Sequence, residues 1–84
     1  MRLLVIEDDR VLHHLITKRL KEEGHSVDDC YDGESGFDYA DSMQYDCIIL
    51  DLMLPKRDGI SILKELRSKG NPSPVLILTA RDSI

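Results

Sequence analysis

Three carboxylates stand where two predicted strands end. Residues 2–6 form a short, largely apolar run that is followed at once by Glu7 and Asp8. A second apolar run, residues 47–50, is followed by Asp51. Short continuous runs of this kind are typical of strands buried on both faces of a parallel sheet. The three acids therefore leave their strands at the carboxyl edge of the sheet, where open α/β sheets place their ligand sites.

Crowded carboxylates repel one another and raise each other's pKa unless a cation lies between them. Mg²⁺ is the expected cation, because it takes oxygen ligands and is commonly held by one or two carboxylates plus a phosphate. We predict that Asp8 and Asp51 coordinate Mg²⁺ directly and that Glu7 acts through water. The backbone carbonyl of Met53 could supply a further oxygen. Thr79, after the fourth apolar run, adds a hydroxyl that can donate to a phosphoryl oxygen.

Some of these residues also have a simpler structural interpretation. An acid before a helix caps it and complements its dipole, and this is the favoured role of Asp9. The same explanation does not apply to Asp51, because residues 52–54 do not open a helix. Thr79 taken alone would be a turn residue that bonds its own backbone.

Apolar runs and helical segments alternate along the chain. Strands are predicted at 2–6, 25–31, 47–50 and 75–78, and helices at about 10–23, 34–43 and 58–69. This alternation implies an α/β fold with a doubly wound parallel sheet. The second strand is rich in acids and suits an edge, so the predicted strand order is 2-1-3-4. Strands one and three are then adjacent, which brings Glu7, Asp8 and Asp51 together where the winding reverses.

Helical spacing predicts the inward face of each long helix. In the first helix this face comprises Val11, Leu12, Leu15, Ile16 and Leu20; in the third it comprises Ile60, Ile62, Leu63 and Leu66. Neighbouring residues on a helix point about 100° apart, so His13 and His14 cannot chelate an ion together. One of the two should face solvent and the other should lie at the boundary.

Length and composition describe one small globular domain of 84 residues. No run approaches the roughly 18 apolar residues that span a bilayer, and the start does not resemble a signal peptide. The net charge of −5 argues against nucleic-acid binding by this segment and favours cations. Two cysteines, Cys30 and Cys47, are too few for a disulfide framework. A reducing cytoplasm is therefore the expected location.

Three motifs resemble those of a known family. The segments LLVIEDD, CIILDLMLPKRDG and VLILTARD are similar, in order and spacing, to the receiver domain of bacterial two-component response regulators. The winged-helix transcription-factor subfamily is the most similar. The resemblance covers residues 1–84 and implies a flavodoxin-like fold.

The resemblance also implies a role for each matching residue. It implies that Asp51 is the phosphoacceptor and that Glu7 and Asp8 bind Mg²⁺. Thr79 and Ala80 would form the switch that contacts the phosphoryl group. A sensor histidine kinase would donate this group from phosphohistidine, and the receiver would catalyse the transfer onto itself. Such a chain is a signalling phosphoacceptor rather than an enzyme with an external substrate.

The family pattern extends past the last residue of this sequence. Its invariant lysine, its fifth strand and its last helices would lie beyond Ile84. We therefore expect residues 1–84 to be an N-terminal receiver fragment with an incomplete sheet and impaired phosphotransfer, which meets promoter DNA only through an absent effector domain. The strand at 75–79 would present an unpaired apolar edge. We therefore expect the fragment either to self-associate through this fourth strand or to be only marginally folded.

Three other functions stay open. An aspartyl-phosphate hydrolase of the haloacid dehalogenase class also uses a strand-end Asp with Mg²⁺, but it needs a second Asp where this sequence has Met53. A flavin or nucleotide binder needs a glycine-rich loop after the first strand, where this sequence has residues 7–10, which are mostly acids. A degenerate receiver that serves only as an interaction scaffold is disfavoured by the intact acids and Thr79.

Overall fold

The structure is a computed structural model and describes residues 1–78. Thr79 and Ala80 lie outside the described residues. The elements are β1 (Arg2–Ile6), α1 (Arg10–Glu22), β2 (Ser26–Cys30), α2 (Gly33–Ser42), β3 (Cys47–Asp51), α3 (Gly59–Ser68) and β4 (Val75–Leu78). The predicted bounds are confirmed to within one residue at each end. Among residues 1–78, no helix has the length and apolar composition needed to cross a membrane.

In the described part of the chain, the strands form one parallel sheet in the order β2-β1-β3-β4. This is the predicted order. Ile6 pairs with Cys30 on one side and with Leu50 on the other, so β1 and β3 end side by side. Within residues 1–78, β4 pairs with β3 alone, and self-association through its outer edge stays a prediction.

The main core lies between the sheet and the two helices α2 and α3. Its fully buried members are Leu4, Ile6, Ala40, Ile48, Leu50, Ile62 and Leu66. Alternation along β1 directs Leu3 and Val5 to the opposite face, and both are also buried. Helix α1 contacts β1 and β2 and covers that second face. Burial on both faces explains why β1 and β3 are continuous apolar runs.

The prediction for the inward face of α1 was wrong in part. Val11 is 71% exposed and Leu15 is 58% exposed, whereas His13 and Thr17 are buried. Leu12, Ile16 and Leu20 are half-buried, so the helix is rotated toward the 13/17 side. A stripe of apolar residues defines a broad face, but packing over β1 and β2 decides which part of it is covered. In α3, Ile60 was predicted to face inward, and this was also wrong, because it is 45% exposed.

Helices α1, α2 and α3 each begin at an aspartate N-cap. The caps are Asp9, Asp32 and Asp58. Asp9 Oδ1 accepts hydrogen bonds from the backbone amides of Val11 and Leu12 at 3.0 and 3.1 Å. A cap of this kind typically stabilises a protein by about 1 kcal/mol. The capping role predicted for Asp9 is confirmed.

The backbone of the loop formed by residues 52–58 packs directly against the backbone at the start of α2. Gly33 N donates a hydrogen bond to the carbonyl of Pro55 at 3.0 Å. A Cβ atom at Gly33 would lie only 1.7 Å from the backbone oxygen of Arg57. A Cβ atom at Gly59 would lie 2.4 Å from the backbone oxygen of Asp51. Both glycines therefore allow the chain that leaves β3 to pass close to its neighbours.

We predict that Gly33→Ala destabilises the fold. The added methyl group would meet backbone atoms, which cannot rotate away, and overpacking of this kind typically costs about 1–3 kcal/mol. Urea unfolding measures the change. Asp38→Ala, an exposed position of the same helix, is the control and should change stability by less than about 0.5 kcal/mol. Equal stability of the two variants would contradict the close contact.

Candidate metal centre

Strands β1 and β3 bring three carboxylates to the same edge of the sheet. Glu7 and Asp8 follow β1 directly, and Asp51 is the last residue of β3. One carboxylate oxygen from each of the three residues lies within 4.8 Å of the others. The meeting of these three side chains was predicted from strand adjacency alone. The distances suit a shared cation, since Mg²⁺ and Ca²⁺ are held by oxygen ligands at such sites.

The three carboxylates differ in their access to solvent. Glu7 is 1% exposed and Asp51 is 9% exposed, while Asp8 is exposed. Oε2 of Glu7 accepts a hydrogen bond from the Asp9 amide at 3.0 Å. Within the described residues, Oε1 of Glu7 is buried and has no hydrogen-bond partner. A buried oxygen without a partner is unfavourable, and a proton or a cation bound to this oxygen would remove the penalty.

Burial raises the pKa of the Glu7 carboxyl above its usual value. The neighbouring carboxylates of Asp51 and Asp8 raise this pKa further, because a third negative charge is unfavourable there. The hydrogen bond from the Asp9 amide acts in the opposite direction and does not cancel the rise. A divalent cation would remove the same penalty by neutralising the crowded charges. Three carboxylates, with one oxygen that has no partner among residues 1–78, form a donor set that fits a hard metal ion.

Met53 lies in the loop that follows β3. Its backbone amide donates a long, and therefore weak, hydrogen bond to Oδ1 of Asp51 at 3.4 Å. Its side chain is 64% exposed. Coordination by the Met53 carbonyl stays a prediction. Thr79 and Ala80, the predicted phosphoryl contacts, lie outside the described residues.

Arg57 anchors this loop to two helices. Its guanidinium forms an ion pair with Glu65 of α3 and donates to the hydroxyl of Ser61 at 3.1 Å. The same guanidinium lies 4.5 Å from the ring centroid of Phe37 on α2, within cation–π distance. Contacts of Arg57 with α2 and with α3 thus hold the loop that follows Asp51.

Sequence reasoning missed His13, whose ring contacts the backbone oxygen of Glu7. The side chain is 1% exposed, so the prediction that it faces solvent or the boundary was wrong. His14 is exposed. His13 and Thr17 are polar, and a search for apolar periodicity therefore passes over the face that they share. The i, i+4 spacing of these two residues is the one signal that could have indicated it.

Comparison with protein families identifies the chain's relatives. The family model described as "Response regulator receiver domain" matches residues 3–84. Protein RcaC of Microchaete diplosiphon is 48% identical over 84 residues, which are all of this chain and 13% of that protein. Transcriptional regulatory protein DltR of Streptococcus agalactiae is 44% identical over 81 residues, 96% of this chain and 36% of that protein. The chain therefore spans a minor part of the length of these relatives.

Solved structures have the same architecture. The receiver domain of the Francisella response regulator 1452 superposes with a TM-score of 0.91 at 36% identity, over 98% of this chain and 68% of that chain. Response regulator TrrA of Thermotoga maritima, solved in complex with Mg²⁺ and BeF, superposes with a TM-score of 0.88 at 32% identity, over 96% and 70% of the two chains. These likenesses confirm the flavodoxin-like fold.

We predict that the stability of the metal-free chain falls as pH rises above about 4.5, the ordinary pKa of Glu7. The folded state holds this proton more tightly than the unfolded state, so ionisation above the unfolded pKa opposes folding until pH passes the raised folded pKa. Glu7→Gln keeps the shape and removes the charge. It should therefore abolish this fall and raise the free energy of unfolding at neutral pH.

Urea unfolding at a series of pH values, with a chelator present, measures the effect. Glu34→Gln is the matched control, because Glu34 is an exposed carboxyl in the first turn of α2. This control should keep the pH dependence of the unchanged chain. A Glu7→Gln profile parallel to that of the control would contradict the assignment to Glu7.

Proposed function

Since this chain belongs to the response regulator receiver domain family, we propose that Asp51 accepts a phosphoryl group from a sensor histidine kinase. The observation that carries the proposal is the meeting of Glu7, Asp8 and Asp51 within 4.8 Å at the end of two adjacent parallel strands. A second Asp two residues after the acceptor, which the dehalogenase class needs, is replaced by Met53.

Mg²⁺ is the proposed cofactor. Asp8 and Asp51 would hold it directly, Glu7 would act through water, and the Met53 carbonyl would add an oxygen. Two features of Glu7 support this set: Oε1 has no hydrogen-bond partner within the described part of the chain, and the pKa of the carboxyl is raised. The Mg²⁺ in the TrrA complex supports it too. When bound, Mg²⁺ supplies positive charge that offsets the repulsion between the carboxylates and the incoming phosphoryl oxygens.

The proposed chemical step is a phosphoryl transfer onto a carboxylate. An oxygen of Asp51 forms a bond to phosphorus, and the P–N bond of the kinase phosphohistidine breaks. The donor imidazole leaves with the electron pair of that bond and takes up a proton. The Met53 amide lies 3.4 Å from Oδ1 of Asp51 and would orient this carboxylate only weakly, since the hydrogen bond is long.

Thr79 and Ala80 are proposed to contact the transferred phosphoryl group. Leu78 pairs with Asp51 across β3 and β4, and Thr79 follows Leu78 in sequence. A hydroxyl at that position suits donation to a phosphoryl oxygen. This contact would report the phosphorylation of Asp51 to the rest of the domain.

The wider role is that of a signalling phosphoacceptor. We propose that residues 1–84 act as a receiver domain and that a longer protein couples it to transcription, as the name of DltR suggests for that relative. Contact with promoter DNA would then belong to another part of the protein, in keeping with the net charge of −5 here. Free thiols at Cys30 and Cys47 support a reducing cytoplasm as the place of action.

We predict that Mg²⁺ stabilises the chain, because it binds the folded state alone. The expected gain is about 1.4 kcal/mol when Mg²⁺ is in tenfold excess over its Kd. Thermal unfolding with and without Mg²⁺ measures it. Asp51→Ala should lose the gain, whereas Asp46→Ala, which removes a carboxylate at the other end of the sheet, should keep it. An equal gain in both variants would refute this metal site.

A second prediction tests phosphotransfer. In the full-length gene product, acetyl phosphate and Mg²⁺ should add one phosphoryl group to Asp51, detected by intact mass and peptide mapping. Asp51→Asn should abolish the labelling, because an amide cannot form the acyl phosphate. Asp58→Asn is the control, since Asn also caps helices, and it should be labelled normally. Labelling of Asp51→Asn to the same extent would show that another residue is the acceptor.

A further inference from the structure

His13 is a buried polar side chain that the proposed phosphotransfer does not use. Both of its ring nitrogens face oxygen atoms. Nδ1 lies 2.7 Å from the backbone oxygen of Glu7, and Nε2 lies 2.5 Å from Oδ2 of Asp29. The ring is stacked on Tyr31, with a centroid distance of 3.8 Å and an interplanar angle of 5°. The imidazole is therefore fixed at two edges and one face.

The bond to Glu7 has a defined direction. A peptide carbonyl can only accept hydrogen bonds, so Nδ1 carries the proton and donates it to the Glu7 oxygen. Asp29 on β2 holds the opposite nitrogen and prevents rotation of the ring. The guanidinium of Arg10 lies 4.7 Å from the centroid of Tyr31 and so helps to hold the stacked pair. Helix α1 is thereby tied to the end of β1 through one side chain.

The Glu7 carbonyl belongs to the peptide unit that joins Glu7 to Asp8. This unit is planar and rigid, so a fixed oxygen also fixes the direction in which the chain enters Asp8. The Glu7 amide is held as well, because it donates to the carbonyl of Cys30 at 3.2 Å. The Asp9 amide completes the arrangement by donating to the Glu7 side chain at 3.0 Å. The backbone of the two acids is thus restrained from both sides.

We propose that His13 is a positioning residue for the metal centre. Its Nδ1–H holds the Glu7–Asp8 peptide in the orientation in which both carboxylates meet Asp51, although His13 does not touch the ion. The restraint matters because three like charges repel one another and would separate if the backbone were free to turn. The proposal rests on the proposed Mg²⁺ site, which it deepens.

Three substitutions separate the two hydrogen bonds of His13. His13→Asn places an amide nitrogen close to the position of Nδ1 and can keep the bond to Glu7. His13→Gln places its amide near the position of Nε2 and can keep the contact with Asp29. His13→Leu fills the space without either bond.

The affinity for Mg²⁺, measured by isothermal titration calorimetry on folded protein, is the first measurement. Loss of a residue that orients metal ligands typically weakens metal affinity about 10- to 100-fold. We expect a loss of this order for His13→Leu and His13→Gln, and a much smaller loss for His13→Asn. A merely structural residue would instead give losses that follow the loss of stability.

Hydrogen exchange of the Asp9 amide without metal is the second measurement. This amide is bonded to the Glu7 side chain, so its protection reports whether Glu7 is in place. Protection should fall in His13→Leu and His13→Gln and persist in His13→Asn. Core amides such as that of Leu50 should stay protected in all three.

Tyr45→Phe is the matched structural control. It removes the hydrogen bond from the buried Tyr45 hydroxyl to Asp28 (2.6 Å) at the far end of the sheet. It should lower stability and leave the affinity for Mg²⁺ unchanged. If it weakens Mg²⁺ binding as much as His13→Leu, the positioning role is wrong.

The outcomes distinguish the two proposals. Normal Mg²⁺ affinity and normal Asp9 protection in His13→Leu would overturn the role of His13 and leave the proposed function intact. A wild-type chain that binds no Mg²⁺ would overturn the proposed function and the role of His13 with it.

Discussion

Electrostatic repulsion among three carboxylates is the constraint on which this end of the molecule depends. The sheet forces Glu7, Asp8 and Asp51 together, because β1 and β3 are parallel neighbours that end in register. Burial of Glu7 makes the repulsion stronger, since water does not screen its charge. Folding therefore produces a site of high negative potential that the rest of the domain must hold in place. A cation bound among the three acids would offset this repulsion.

Several contacts oppose the separation of these acids, and they come from different elements. The His13 ring of helix α1 donates a hydrogen bond to the carbonyl oxygen of Glu7, and the Met53 amide makes a long hydrogen bond to Asp51. The loop that carries Met53 is held by Arg57 and by its close approach to Gly33. Rigidity of this kind lets a cluster of like charges persist without rearrangement. A ligand that binds there meets groups that are already oriented.

Much of the fold and the cluster could be predicted from the sequence. Apolar runs marked β1 and β3, and the acids after them followed directly from the strand ends. The inward face of α1 was predicted only in part, because the exposed Val11 and Leu15 are as apolar as the buried residues of the core. Packing of α1 against the sheet buries His13 and Thr17 instead. The reach of Arg57 to Phe37 and Glu65 was likewise unpredictable, since a long side chain takes its direction from neighbours that are remote in sequence.

The strand order also sets the sequence of events during synthesis. β1 is synthesised before the other three strands of the described sheet, yet it is an inner strand whose second neighbour, β3, follows much later, as the pairing of Leu3 with Cys47 requires. A nascent β1-α1-β2 unit can pair locally, but it buries only part of its apolar surface. Non-local pairing of this kind slows folding, because loop closure must precede the contacts that reward it. The acidic cluster is thus completed late, after the chain has grown past Asp51.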